Sequence, residues 1–480
     1  MIKMSKEKEL AKNTVILSFG KICTQFVSFL LLPFYTSLLT PQDYGILDLL
    51  GTYVLLLVPL FNLQLENGLF RFLLDYRNIF YKQSELFTAV FLLNCAQSVF
   101  IVIVFVIVNS FFLIDYQDYL VADIILTIFL NTLLQFSRGL GDNISYAIGS
   151  FISVTTLVIF NILLLIVFKM GLWGMLYSLL MSKVISILYL ILSQRTWRYV
   201  NVAFFKINVL HEVLNYSIPL VPNQLSWWVL GVSDRTIITI FLGVTANGIY
   251  SLANKFSSVI SSFYNVFNLS WTESVSLHIN DVDRDSYLSN IINLMFKLFS
   301  STCIFFITFI PLVFFDFIDD NYKDAYFQIP ILILAVFFQI IVGLYSVVYI
   351  ALKKTSEIAK TSLFAAAINF VINLLFVKEI GIYAASLSTL ISFCIMSLYR
   401  YFHVKKFVNV RIYISNLIKM STMFVFAISS YYYNNVIINV ITFIISVFVL
   451  IIINKDFISS LVIFGRDYID KLFSASKELN

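Results

Sequence analysis

Residues 86–113 read LFTAVFLLNCAQSVFIVIVFVIVNSFFL, a run without a single charged side chain. About 20 predominantly apolar residues in a helix cross the hydrocarbon core of a bilayer, so this run predicts a membrane span. Arg71, Arg77 and Lys82 precede it, whereas the connection that follows carries only Asp115 and Asp118 before the next apolar run. One flank is basic and the other is not, and that asymmetry orients the span.

Working outward, similar runs lie at 13–39, 44–65, 86–113, 118–137, 145–168, 171–193 and 213–242. They continue at 246–270, 287–315, 326–352, 357–377, 380–402, 412–432 and 436–453. The expected fold is therefore an all-α polytopic membrane protein of about 14 transmembrane helices. The connections alternate throughout. One set carries Lys3, Lys6, Lys8 and Lys12, then Arg138, Arg195, Arg198, Lys206, Arg284 and Lys297. The same set continues with Lys353, Lys354, Lys360, Arg400, Lys405, Lys406, Arg411 and Lys419, and ends in the tail with Lys455, Arg466, Lys471 and Lys477. The other set holds little beyond Lys169, Lys323 and Lys378. Basic connections stay in the cytoplasm, which predicts an even number of spans, both termini inside, and residence in the inner membrane.

Composition agrees. Of 480 residues, 60% are hydrophobic and 12% charged, more apolar surface than a water-soluble fold can hide. The net charge of +5 sits in the cytoplasmic connections and calls for no nucleic-acid partner. The first apolar run is too long for a signal peptide and is read as span 1. Cys23, Cys95, Cys303 and Cys394 fall in separate apolar segments, as buried thiols do, and His211, His278 and His403 are far apart. No cofactor or metal site is expected. No GxxxxGK[ST], GxSxG or HExxH motif points to an ATP engine or an enzyme.

The chain also repeats. Tyr44-Gly45-Ile46-Leu47-Asp48-Leu49 opens span 2, and Asn247-Gly248-Ile249-Tyr250-Ser251-Leu252 opens span 8 at an offset of 203. Gly171-Leu172-Trp173-Gly174 opens span 6, and Gly381-Ile382-Tyr383-Ala384 opens span 12 at an offset of 210. A duplicated six-helix unit requires such near-equal offsets. The expected domains are a six-helix lobe at 1–205, a second at 206–408, and helices 13 and 14 with a cytoplasmic tail at 409–480. Parallel repeats of this kind pack about a pseudo-twofold along the membrane normal, with substrate at their interface.

Four spans carry polar stripes at three/four spacing. Span 1 has Thr14, Ser18, Lys21, Gln25 and Ser28, and span 2 has Asp48, Thr52, Pro59, Asn62 and Glu66. Span 7 has Asn223, Gln224, Trp227, Gly231, Asp234 and Arg235, and span 8 has Asn247, Ser251, Lys255, Ser258, Ser262, Asn265 and Asn268. Polar groups are costly in hydrocarbon, so such stripes face protein or water. Hydrogen bonding between packed helices explains single Ser and Asn residues. The deep charges Lys21, Lys183, Arg235 and Lys255 instead suggest a cationic cavity suited to a phosphate or diphosphate. Snorkelling of Lys21 and pairing of Arg235 with Asp234 are the competing readings. The candidate substrate-binding residues are Lys21, Gln25, Asp48, Asn62, Glu66, Gln224, Trp227, Asp234, Arg235, Lys255 and Asn265. Pro219 and Pro222 precede the span 7 stripe and are the expected hinge, with static kinks the alternative.

The segment Asn215-Tyr216-Ser217-Ile218-Pro219-Leu220-Val221-Pro222, through Ser233-Asp234-Arg235 to Gly248-Ile249-Tyr250-Ser251, resembles the bacterial oligosaccharide-unit flippases of the Wzx type. These belong to the multidrug/oligosaccharidyl-lipid/polysaccharide (MOP) exporter superfamily. Leu31-Leu32-Pro33-Phe34-Tyr35 through Asp43-Tyr44-Gly45 is similar to them as well. The resemblance implies two six-helix lobes, a cavity among spans 1, 2, 7 and 8, and alternating access. It implies as substrate an undecaprenyl-diphosphate-linked oligosaccharide for O-antigen, capsule or exopolysaccharide, moved without making or breaking a bond. A polysaccharide polymerase and a chain-length regulator are candidate partners beside the membrane lipids. A drug or metabolite antiporter of the same superfamily, a lipid II flippase and a membrane polysaccharide polymerase are the alternatives.

Overall fold

The computed structural model describes residue 29, residues 31–111, 115–352 and 354–455, and residue 459. Lys21 and Gln25, with most of span 1, lie outside the described residues. Every described element is a helix. In chain order these are α1 (Leu32–Leu38), α2 (Pro41–Asn62), α3 (Leu65–Asp75), α4 (Phe80–Phe111), α5 (Gln117–Gly139), α6 (Asn143–Asn161) and α7 (Gly171–Gln194). There follow α8 (Ile207–Ser217), α9 (Val221–Leu242), α10 (Val244–His278), α11 (Arg284–Phe317) and α12 (Ile329–Ala351). The series ends with α13 (Thr355–Ile380), α14 (Tyr383–Val404), α15 (Ile414–Tyr433) and α16 (Val436–Ile453).

Nine of the described helices are long and apolar enough to cross a membrane. The helices α9, α10, α14 and α15 have 22, 35, 22 and 20 residues, so each is long enough to cross a bilayer while carrying more polar side chains. The sequence signals behind the boundaries are local. Thr40 caps α2 by accepting the Asp43 backbone N–H at 3.2 Å, the Thr40 N–H returns to the Asp43 carboxylate, and Pro41 occupies the first turn. Only Gly243, at φ +90°, separates α9 from α10, a conformation that residues with a Cβ rarely adopt.

Two expected spans are broken. Span 2 stops at Asn62, Leu63 and Gln64 turn left-handed at φ 54° and 58°, and α3 resumes at Leu65. Span 7 is divided by a 3₁₀ turn over Ile218–Leu220, where Pro219 lies. The two breaks are close, because a Cβ on Gly68 of α3 would meet Val213 and Ser217 of α8.

The chain divides into two compact units, Met1–Ser251 with Phe370–Ala385, and Leu252–Asn369 with Ser386–Asn480. In the first, Leu50, Val54 and Val58 of α2 pack with Ile124 and Ile128 of α5 and Leu176 of α7. A second core sets Leu65 and Leu69 of α3 against Phe87 of α4, Phe136 of α5 and Val213 of α8. In the second unit the last helices dock on α11. Thr308 and Ser446 share a hydrogen bond of 2.7 Å, and Asn454 donates to Ser301 Oγ at 2.8 Å. Tyr326 and Tyr431 stack at 4.2 Å and each donates its hydroxyl to the other's carbonyl.

Candidate functional site

The polar stripe of α2 meets α9 and the first turns of α10, all within the first unit. Asp48 and Thr52 are one helical turn apart on α2, and Trp228 and Arg235 are two turns apart on α9. Arg235 Nε lies 2.7 Å from Asp48 Oδ2, and Trp228 Nε1 donates to the Thr52 carbonyl at 3.0 Å. Pairing that advances along one helix and retreats along the other makes the two antiparallel. The Ser251 hydroxyl donates to the same Asp48 oxygen at 2.5 Å, and Asn247 Nδ2 donates to the Gly45 carbonyl at 3.0 Å. Here the pairing advances along both chains, so α2 and the start of α10 run side by side in one direction.

That approach depends on glycine. A Cβ at Gly45 would collide with the Val244 carbonyl, and one at Gly248 with the Pro41 carbonyl. Small residues let membrane helices bring their backbones together in this way. The contact is reciprocal, Gly45 on Val244 and Gly248 on Pro41, and both matches sit at the offset of 203 read from the sequence. The repeated motif therefore packs against its own copy.

Asp234 faces elsewhere. It is 4% exposed and accepts from the Tyr250 hydroxyl at 3.1 Å and from Asn373 Nδ2 at 2.9 Å. Asp48 and Arg235 are only 15% and 16% exposed, so their pair is partly withdrawn from water. A second interior pair joins Lys183 of α7 to Asp123 of α5, with Thr127 accepting from Lys183 at 2.8 Å. Lys183 and Arg235, expected as excess positive charge, are thus each matched by a carboxylate.

The remaining expected residues fall into two groups. Asn62 and Glu66 are buried on either side of the α2–α3 break, and the Asn62 amide donates to the Glu66 carboxylate across it. Gln224, Trp227, Lys255 and Asn265 are exposed, Trp227 by 45%. Sequence reasoning passed over Trp228, Asp123 and Asn373. Asn369 and Asn373, four residues apart in the otherwise apolar stretch 363–377 of α13, were a readable stripe. Among the described residues no three His, Cys, Asp or Glu side chains converge as metal ligands. What the α2–α9–α10 cluster can do is hold three helices together through one ion pair and a few hydrogen bonds.

Several solved structures share this architecture. The chain resembles the lipid II flippase MurJ in an inward closed conformation, with a TM-score of 0.65 and 17% identity over 94% of this chain and 100% of that one. It resembles an inward-facing multidrug resistance MATE family transporter of the MOP superfamily at a TM-score of 0.63 and 14% identity, over 88% and 96% of the two chains. A MOP superfamily transporter from Pyrococcus furiosus aligns at 0.51 and 15% identity, over 82% and 96%. At these identities the likeness is one of fold. No curated protein sequence matches the chain significantly. A family model described as polysaccharide biosynthesis protein matches residues 10–271, more than half the chain, and the chain belongs to that family.

Proposed function

We propose that this protein is a flippase that carries undecaprenyl-diphosphate-linked oligosaccharide units across the bacterial inner membrane by alternating access, with both termini in the cytoplasm. The polysaccharide biosynthesis family match, on a polytopic helical chain, is the observation that carries the reading. Lys21 and Lys255 would attract the diphosphate, joined by Arg235 once its pair with Asp48 opens. Gln25, Gln224, Trp227 and Asn265 offer amides and an aromatic face for sugar. The breaks at Leu63–Gln64 and Ile218–Leu220 supply bending points for the cycle. A cation antiporter would use free carboxylates, but Asp48 already faces Arg235 and Asp234 already accepts two hydrogen bonds.

Deleting the gene should abolish surface polysaccharide and leave the lipid-linked oligosaccharide facing the cytoplasm, both restored by the wild-type chain. Lys255→Ala at matched membrane abundance should weaken diphosphate binding about tenfold, as loss of one charge-assisted contact does, and lower polymer output accordingly. Normal polysaccharide in the deletion strain, with new drug sensitivity, would replace this reading with the antiporter.

A further inference from the structure

In the second unit four helices surround a cavity of about 610 Å³ that the function proposed above does not use. Its walls come from α11, α12, α14 and α15 and from the connection between α14 and α15. Phe296, Phe337 and Phe338 line the interior, and Phe402, 64% exposed, stands at the apolar rim. Lys405 and Arg411 line the same cavity and are themselves exposed.

The connection is built, not loose. Asn293 of α11, 3% exposed, donates to the Arg411 carbonyl at 2.7 Å and accepts the Tyr413 N–H at 2.9 Å. The Arg411 N–H donates to Ser289 Oγ at 3.0 Å. Lys405 lies over the Tyr401 ring at 4.2 Å. Among the described residues neither Lys405 nor Arg411 has a carboxylate partner. No Asp or Glu occurs in the sequence between Glu379 and Lys455, and Asp285 of α11, one turn before Ser289, is paired with Arg284 at 3.3 Å.

We propose that this cavity binds a membrane lipid with an anionic phosphate headgroup, its phosphate held by Lys405 and Arg411 and its chain laid among the phenylalanines. The volume lies within the roughly 300–1,000 Å³ typical of ligand pockets. Apolar walls would give a free anion nothing, whereas a chain entering past Phe402 stays in an apolar medium throughout. Two cations that no carboxylate pairs among the described residues then meet the headgroup, which sets an anionic lipid apart from a zwitterionic one. The site is independent of the transport reading, because occupancy is measured on the resting protein.

The test uses the full chain, purified in uncharged detergent and delipidated, with dioctanoyl phosphatidylglycerol titrated under native mass spectrometry. One lipid should bind well above background, and Lys405→Ala with Arg411→Ala should weaken it about thirtyfold. Phe402→Ala should weaken it less. Lys406→Ala with Lys419→Ala, charges outside the cavity lining, should leave it unchanged. Equal binding of dioctanoyl phosphatidylcholine would overturn the headgroup assignment. Equal loss in the Lys406/Lys419 variant would make it a general surface-charge effect. Competition by inorganic phosphate at millimolar concentration would make it a free-anion site. All three results concern the purified protein, so each can fail while export remains normal.

Discussion

Arg235 in α9 and Arg400 in α14 are both arginines within apolar helices, and their charges are met in different ways. Arg235 faces one carboxylate, that of Asp48, and the pair keeps about a sixth of its surface in water. Arg400 is 1% exposed and faces no carboxylate among the described residues. Its guanidinium is spread over the Thr361 hydroxyl at 2.8 and 3.1 Å, the Ser362 hydroxyl at 3.2 Å, the Ser346 hydroxyl, and the carbonyls of Val342 and Ile358. A single ion pair at a water-reachable edge can separate, with each member solvated afterwards. A charge caged by the dipoles of α12 and α13 cannot leave without unpacking all three helices. The first arrangement suits a contact that is exchanged during a cycle, the second a fixed joint.

The largest effect should come from Arg400. Arg400→Met leaves several buried hydroxyls and carbonyls without their donor and should cost about 3 kcal/mol. Membrane abundance and the thermal midpoint in detergent should both fall, and Arg400→Lys should recover little because one ammonium cannot reproduce the planar fork. If the variant is as stable as wild type, the cage is not a joint and the contrast with Arg235 collapses.

Next comes the helix crossing. Gly248→Ala places a methyl against the Pro41 carbonyl and should cost about 1–3 kcal/mol as overpacking, read as a lower thermal midpoint. Gly231, where an added methyl would meet nothing within 4 Å, should tolerate Ala without loss.

Arg235→Ala should be milder in stability, about 1–2 kcal/mol, and should show chiefly as reduced polysaccharide export at near-normal abundance. The exchanged pair Asp48→Arg with Arg235→Asp should recover part of that export. Failure of the exchange, with Asp234→Arg and Arg235→Asp succeeding instead, would return the arginine to its sequence neighbour. The smallest effect is expected at Arg71, whose pair with Asp75 is about half exposed on both sides. Arg71→Ala should shift stability by no more than about 0.5 kcal/mol.

These contrasts were unevenly visible in the sequence. Apolar runs gave helices of nearly the expected bounds, as with 171–193 against α7 at Gly171–Gln194, because span length is set by the bilayer and written in composition. The offset of 203 between Gly45 and Gly248 was legible as a repeat, and it located two glycines that touch. The partner of Arg235 was not legible. Asp234 is its neighbour in sequence, but Asp48 lies almost two hundred residues away, and only packing brings it near. Arg400 read as one more cation of a basic connection because Lys405 and Lys406 follow closely. Its side-chain partners are Ser and Thr, which look alike whether they hold a charge or merely return to their own helix. The break at Leu63–Gln64 left no trace either, since neither residue is Gly or Pro.

The reciprocal glycine contact has a consequence for how this chain can change. Between two identical subunits, a contact of this kind sits on a twofold axis, and every substitution arrives twice at one place. A methyl at such a position meets its own image, so both sides must be small at once. Within one polypeptide the two positions have separate codons, and no axis enforces identity. Asp48 and Ser251 occupy matching positions at the same offset and differ, one being an acceptor and the other its donor. Gly45 and Gly248 are the same residue, held alike by backbone on both sides of the crossing.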